Sequence, residues 1–189
     1  MNAETKELIL HELDNAIERY PDYPIDDVVY FDLNPIYKDS DLKRKLTNLC
    51  VDAIESIRVG IDPLMADIDY IACIESRGFI MGSILSNLYS KGILLLRSKP
   101  GRLPGKTSKV KHKLEYGTAT MEVQKGKGKI LIYDDVVATG GTANAATKVL
   151  KKGGYDPVYS LFLLELSYCK PKLKTNHESI LIYNEKPSS

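Results

Sequence analysis

Residues 130–142 read Ile-Leu-Ile-Tyr-Asp-Asp-Val-Val-Ala-Thr-Gly-Gly-Thr: an apolar run, two adjacent carboxylates, then a short loop of small and hydroxylated residues. Helix-forming residues follow at once from Ala143. The first N–H groups of a helix have no partner within it, and with the helix dipole they favour an anion. Gly140 and Gly141 permit backbone angles and close approach that a Cβ forbids. Thr139 and Thr142 add hydroxyl donors. Asp134 and Asp135 stand where the strand is expected to end, the ligand position of open α/β sheets, and alternation sends their side chains to opposite faces. Carboxylates suit hydroxyl groups and a hard cation; the loop suits a phosphate. The segment therefore reads as a site for a sugar phosphate. A plain capped turn between strand and helix needs only one such residue.

A second strand-to-helix junction is expected at Glu75-Ser76-Arg77-Gly78. Its N–H groups and the planar fork of Arg77 suit another anion. Two such junctions in one sheet fit a substrate with phosphates at both ends. Residues 98–113 are rich in Pro, Gly and Lys and read as a long mobile loop of positive charge. Gly101-Arg-Leu-Pro-Gly105-Lys106-Thr107 is a near-miss of a nucleotide P-loop. It has three residues between the glycines instead of four, and Pro104 lacks an N–H where the cradle needs donors. Leu114-Glu115-Tyr116-Gly117 follows and by itself is an ordinary hairpin entry. Of the scattered histidines, His112 is the one placed to touch a phosphate when the basic loop closes.

These residues need a scaffold. Residues 4–19 and 42–59 show helical spacing of apolar residues, and Tyr20-Pro21-Asp22-Tyr23-Pro24 stops the first helix. Residues 20–40 read as irregular around an apolar patch at 28–31. Short apolar runs at 69–74, 93–96, 130–133, 159–164 and 180–183 read as strands; helices are expected from Ser76 to about Tyr89 and from the 139–142 loop to Lys152, where Gly153 and Gly154 end the second. Strands alternating with helices predict an α/β fold with a mostly parallel twisted sheet flanked by helices on both faces.

A chain of 189 residues suits one domain. A net charge of +1 argues against a large nucleic-acid footprint. No apolar stretch approaches the roughly 20 residues needed to span a bilayer, and the first residues do not read as a signal peptide. Cys50, Cys73 and Cys169 are widely spaced and form no zinc pattern, so they read as reduced thiols of a cytoplasmic protein.

Together these segments resemble the type I phosphoribosyltransferases, and within them the adenine branch. The 130–142 segment is similar to their phosphoribosyl-pyrophosphate fingerprint. Gly101-Arg-Leu-Pro104 with Leu114-Glu-Tyr-Gly117 narrows the resemblance to the adenine branch, joined by Tyr20-Pro-Asp-Tyr-Pro24, Val28-Val29, Asp32 and Glu75-Ser-Arg-Gly-Phe79. The resemblance covers most of residues 20–170. It implies a single domain over residues 1–189, with a base-binding hood at about 20–40 and a lid loop at about 98–117.

The implied reaction is transfer of a 5-phosphoribosyl group from phosphoribosyl pyrophosphate to adenine, giving AMP and pyrophosphate. Ala138, Thr139, Gly140, Gly141 and Thr142 would hold the 5′-phosphate. Asp134 and Asp135 would engage the ribose hydroxyls and, through ribose or water, Mg2+. Glu75, Ser76, Arg77 and Arg97 would meet the pyrophosphate, with a non-proline cis bond at Glu75–Ser76. Val29, Tyr30, Phe31 and Val136 would enclose the base, and Arg102 and Tyr116 would belong to the lid. Glu115 and Arg77 would be catalytic, Glu115 moving a proton at the purine ring. A homodimer is implied by the family alone. Phe31 stands where many members carry arginine. The alternatives are a hypoxanthine/guanine or other purine transferase and, less consistent with the charge, a purine-sensing regulator on the same fold.

Overall fold

The computed structural model describes residues 1–114 and 117–186. Helix α1 (Ala3–Ala16) starts where the Asn2 side chain accepts from Thr5 N at 2.8 Å, and it buries Ile9 and Leu13. It ends three residues before the spacing predicts, because β1 (Glu18–Pro21) pairs antiparallel with β2 (Val29–Asp32). The segment expected to be irregular is thus a hairpin followed by α2 (Asn34–Lys38). Asp39 caps α3 (Ser40–Ser56), accepting from the N–H groups of Asp41 and Leu42. A two-stranded ribbon, β3 (Arg58–Val59) and β4 (Asp62–Pro63), leads through α4 (Leu64–Asp67) into the sheet.

The sheet is built from β5 (Tyr70–Ile74), then α5 (Gly78–Leu88) and β6 (Gly92–Leu96). A hairpin of β7 (Thr107–Leu114) and β8 (Gly117–Gln124) follows, then β9 (Gly128–Val137), α6 (Gly141–Gly153), β10 (Tyr155–Leu166) and β11 (Asn176–Tyr183). The five sheet strands are all parallel in the order β11-β10-β9-β5-β6. The first two strands of the sheet therefore run one way from the centre and the last three the other. The reversal falls between β5 and β9, the crevice where ligands of such sheets bind.

Alternation along the strands sorts the core into two layers. Ile71, Cys73, Leu131 and Tyr133 pack with residues of α1, α3, α4 and α5. Ala72, Ile74, Ile130 and Ile132 face Ala145, Ala146, Val149 and Leu150 of α6, together with Met121 and Val123 of the hairpin. One expectation needs correction: residues 98–113 are not one loop. From Thr107 on, an eight-residue antiparallel ladder pairs β7 with β8, and Ser108 and Lys152 fasten it to α6 through Ser108 Oγ→Lys152 O and Lys152 Nζ→Lys109 O, both at 3.1 Å. Ser108 and Val110 turn toward α6 and the core while Lys109 and Lys111 face out, so the lysines decorate a strand. The near-miss of a P-loop falls in the turn ahead of that strand and opens no helix. Among the described residues no helix is long and apolar enough to cross a membrane.

Candidate active site

The site opens because β9 outruns one neighbour. Its ladder to β5 ends at Tyr133, while its ladder to β10 continues to Val137. From Asp134 onward one edge of β9 faces the crevice instead of a strand. The acidic pair lies within the strand, not after it, and the two side chains take different partners. Asp135 is buried, with Oδ2 at 2.6 Å from Arg77 Nε in an ion pair. Asp134 is half-buried, and its Oδ1 accepts from Asp135 N at 3.0 Å. A Cβ on Gly78 would stand 3.1 Å from Asp134 Oδ1 and from Tyr133 O, a crowded fit that glycine avoids where α5 starts close to β9. Burial and the charge of Asp135 push the Asp134 carboxyl well above its ordinary pKa. Burial also raises Asp135, and Arg77 offsets part of that rise.

Arg77 joins three parts of the molecule. Besides Asp135, its Nη1 donates to the Tyr30 hydroxyl at 2.9 Å and to the Phe31 carbonyl at 3.3 Å, and its guanidinium lies 5.2 Å from the Tyr30 ring centre. Burial pulls its pKa down, and the charge of Asp135, with smaller contributions from Tyr30 and Asp134, more than reverses this. In this conformation the arginine expected at a pyrophosphate instead ties the β1–β2 hood to the acidic pair. The hood also departs from expectation at Phe31. Its ring is 3% exposed and packs 5.1 Å from Tyr183, so the Phe31 side chain belongs to the core and only its carbonyl faces Arg77. Val29, Tyr30 and Val136 remain part-buried.

The Glu75–Ser76 peptide is cis, as the resemblance implies. Glu75 gathers Ser98 N at 2.7 Å, Arg97 Nη2 at 2.9 Å and Arg102 Nη1 at 3.4 Å. The two arginines predicted for the pyrophosphate and the lid therefore converge on one carboxylate at the end of β5.

The loop expected to hold a phosphate is built from main chain. Gly140 has φ +86° and caps α6, whose first residue is Gly141. A Cβ at Gly140 would lie 2.9 Å from Leu173 Cδ2 and 3.0 Å from Lys172 O. Residues 170–174, to which the sequence assigned no role, back this loop: Lys172 N donates to Thr139 O at 3.2 Å, Asn144 Nδ2 to Lys172 O at 2.6 Å, and Lys174 N to Asn144 Oδ1 at 3.0 Å. The only sequence signal for this contact is Leu173, one apolar side chain among lysines. Beside the start of α6 a cavity of about 450 Å³ is lined by Lys111, His112, Gly141, Asn144, Lys148 and Lys174. His112 thus does lie beside the phosphate loop, and burial lowers its pKa. Glu115 and Tyr116, expected at the hairpin tip, lie outside the described residues.

Among the described residues no cluster of three or more His, Cys, Asp or Glu suits a metal ion. Asp134 and Asp135 supply too few oxygens to hold Mg2+ alone. Their adjacency, with the buried Asp135 Oδ2 paired to Arg77 Nε but outside hydrogen-bond geometry, fits a cation completed by substrate oxygens and water.

A parallel sheet in this order, with an acidic pair, a glycine-capped phosphate loop and a second anion-competent junction at its crevice, defines the type I phosphoribosyltransferase class. No protein-family model matches the chain. The adenine phosphoribosyltransferase of Nitrosopumilus maritimus (strain SCM1) is 40% identical over 161 residues, 82% of this chain and 88% of the relative. That of Thermosipho africanus (strain TCF52B) is 35% identical over 175 residues, covering 90% of this chain and 96% of the relative. The crystal structure of the Saccharomyces cerevisiae adenine phosphoribosyltransferase, complexed with D-2,5-dideoxy-2,5-imino-altritol 1,6-bisphosphate and adenine, matches with a TM-score of 0.81 at 29% identity, over 93% of this chain and 99% of that one. The Giardia lamblia enzyme complexed with 9-deazaadenine matches equally well, with a TM-score of 0.81 at 26% identity over 93% of this chain and 98% of its own. The chain belongs to the adenine phosphoribosyltransferase family.

Proposed function

We propose that this protein transfers the 5-phosphoribosyl group of phosphoribosyl pyrophosphate to adenine, giving AMP and pyrophosphate. The observation that carries the reading is the pairing of two anion-competent junctions, Glu75–Arg77 and residues 138–142, at the ends of the adjacent strands β5 and β9, with the acidic pair between them. Their placement on adjacent strands suits a sugar with a phosphate on one side and a pyrophosphate on the other.

The residues then divide the work. The N–H groups of residues 138–142 hold the 5′-phosphate, and Asp134 and Asp135 hold the ribose hydroxyls. The Glu75–Ser76 peptide, Arg97 and Arg102 hold the pyrophosphate. Arg77 reaches it only by releasing Asp135 and the Tyr30 hydroxyl; where it stands, it keeps the hood against the acidic pair. The C1–O bond breaks early and leaves oxocarbenium-like charge on the ribose, by analogy with glycosyl transfer. Catalysis is then positioning and electrostatics, with cationic groups on the leaving pyrophosphate and water kept out. Bound Mg2+ would supply further positive charge beside the pyrophosphate, held through Asp134, Asp135 and water. Glu115 is assigned the proton transfer at the purine ring.

Adenine is accepted by the hood, where backbone groups near Tyr30 and Phe31 read the base and the Phe31 side chain does not. A homodimer is supported by the family and by β6, an edge strand that exposes Ile93 and Leu95, with Leu88 of α5 also exposed. A cytoplasmic setting is supported by the buried free thiols of Cys50 and Cys73.

Steady-state assays of adenine, hypoxanthine and guanine with phosphoribosyl pyrophosphate and Mg2+ test the reading. Adenine is expected to lead in kcat/KM by about 100-fold, roughly 2.7 kcal/mol of discrimination. Faster turnover of hypoxanthine, or turnover of none, would sink it.

A further inference from the structure

Glu122 is a carboxylate at 1% exposure inside β8, where the neighbouring residues Met121 and Val123 are apolar core. Burying a charge is costly unless every oxygen is occupied. Here Oε2 accepts from Gly101 N at 2.7 Å and Arg102 N at 3.3 Å, and Oε1 lies 3.3 Å from Lys109 Nζ. Burial alone would raise its pKa; hydrogen bonds from Thr107, Gly101, Lys109 and Arg102 more than reverse this. The main chain of the same residue is also committed. Glu122 N donates to Arg97 O, and Arg97 N donates to Glu122 O, both at 2.9 Å, an isolated bridge outside the main ladders.

One residue therefore docks Arg97 by its backbone and Arg102 by its side chain. These are the two arginines that meet on Glu75 at the mouth of the crevice. Residues 98–106 form no ladder of their own. Their other ties include Ser98 N and Oγ to the side chain and carbonyl of Glu75, Arg102 Nη1 to Glu75 Oε1 at 3.4 Å, Gln124 Nε2 to Pro104 O at 3.2 Å, and Lys125 N to Lys106 O at 2.9 Å. Among the described residues, only Glu122 grips the main chain of the turn that carries Arg102.

We propose that Glu122 is a positioning residue for the pyrophosphate side of the site: it fixes the 101–102 turn and the end of β6 so that Arg97 and Arg102 converge on the leaving group. The proposal rests on the functional reading above and adds a residue that reading does not contain. Substrate never touches Glu122; it acts through the two arginines.

The test compares Glu122→Gln, Arg102→Ala, the double variant and Lys109→Met. Glu122→Gln is expected to raise the KM for phosphoribosyl pyrophosphate about 10-fold while kcat and the KM for adenine stay within about twofold. In the Arg102→Ala background it should add little, because both changes remove one interaction. Lys109→Met keeps both backbone donors on Glu122 and is expected to stay within about twofold of the parent. Single effects that simply multiply in the double variant would overturn the proposal. So would a Glu122→Gln protein with a lowered melting temperature and an unchanged KM. Two arms do not depend on turnover. The amides of Gly101 and Arg102 should be protected from hydrogen exchange in the parent and lose protection in Glu122→Gln, and binding of inorganic pyrophosphate should weaken about 10-fold. A parent that turns over no purine would end the functional reading and leave these two arms to decide the role of Glu122.

Discussion

The two strand-to-helix junctions of the crevice solve one problem in opposite ways. After β9 the proposed anion site is made of main chain: Gly140 in the left-handed region, the first N–H groups of α6, and a backing segment pressed against the turn. After β5 it is made of long charged side chains: Arg77 on Asp135 and Tyr30, with Arg97 and Arg102 on Glu75. A main-chain site is fixed once the fold forms and holds its geometry whether or not the ligand is there. A side-chain site can exchange partners. The difference suits a substrate whose 5′-phosphate stays put while its pyrophosphate leaves.

The comparison can be broken at either end. Gly140→Ala attacks the fixed site. A Cβ at φ +86° costs about 1–2 kcal/mol before its contacts with Leu173 and Lys172 O are counted. We expect kcat/KM for phosphoribosyl pyrophosphate to fall about 100-fold or more in steady-state assays. Arg77→Lys attacks the exchangeable site by removing the fork that spans Asp135, Tyr30 and the Phe31 carbonyl. A loss of about 30-fold is expected, and a loss as deep as that at Gly140 would erase the distinction.

Asp134→Asn should split affinity from stability. The Asp134 pKa is raised in the folded state, so folding favours its protonated form. That stabilisation is fully present below the unfolded carboxylate value. It is lost as pH rises toward the folded value, and above it the charge is a constant penalty. At neutral pH, Asp134→Asn should therefore raise the melting temperature of the ligand-free protein by about 2–4 °C while weakening phosphoribosyl pyrophosphate binding. A lower melting temperature would contradict the buried-charge account. The smallest effect is expected from Leu173→Ala, which thins the backing of the loop without touching it chemically: a rise of about threefold in the KM for phosphoribosyl pyrophosphate, read in the same assay.

The sheet and both junctions are legible in the sequence because β5, β9 and β10 are buried on two faces and every sheet strand contains a short apolar run. Strand β7 was not, although Ser108, Val110 and His112 alternate with Lys109 and Lys111. Its lysine content resembles that of a solvated loop, and period-2 spacing between one serine, one valine and one histidine is a weak signal. The β1–β2 hairpin was hidden by prolines that sit at a strand end and in its turn. Glu122 was unreadable for a different reason. A glutamate between Met121 and Val123 normally marks the wet face of a strand, and only the distant Gly101–Arg102 turn makes that face dry. Sequence position puts Phe31 in the hood but does not say which way its ring faces; Tyr183, far along the chain, decides it.

Residues 170–174 come after every segment that lines the crevice. On a ribosome, strands β5, β6 and β9 and the start of α6 emerge first, and the loop around Gly140 waits for the stretch that will brace it. A nascent or truncated chain lacking that stretch would carry all the predicted site residues and still lack a firm cradle for the ester group.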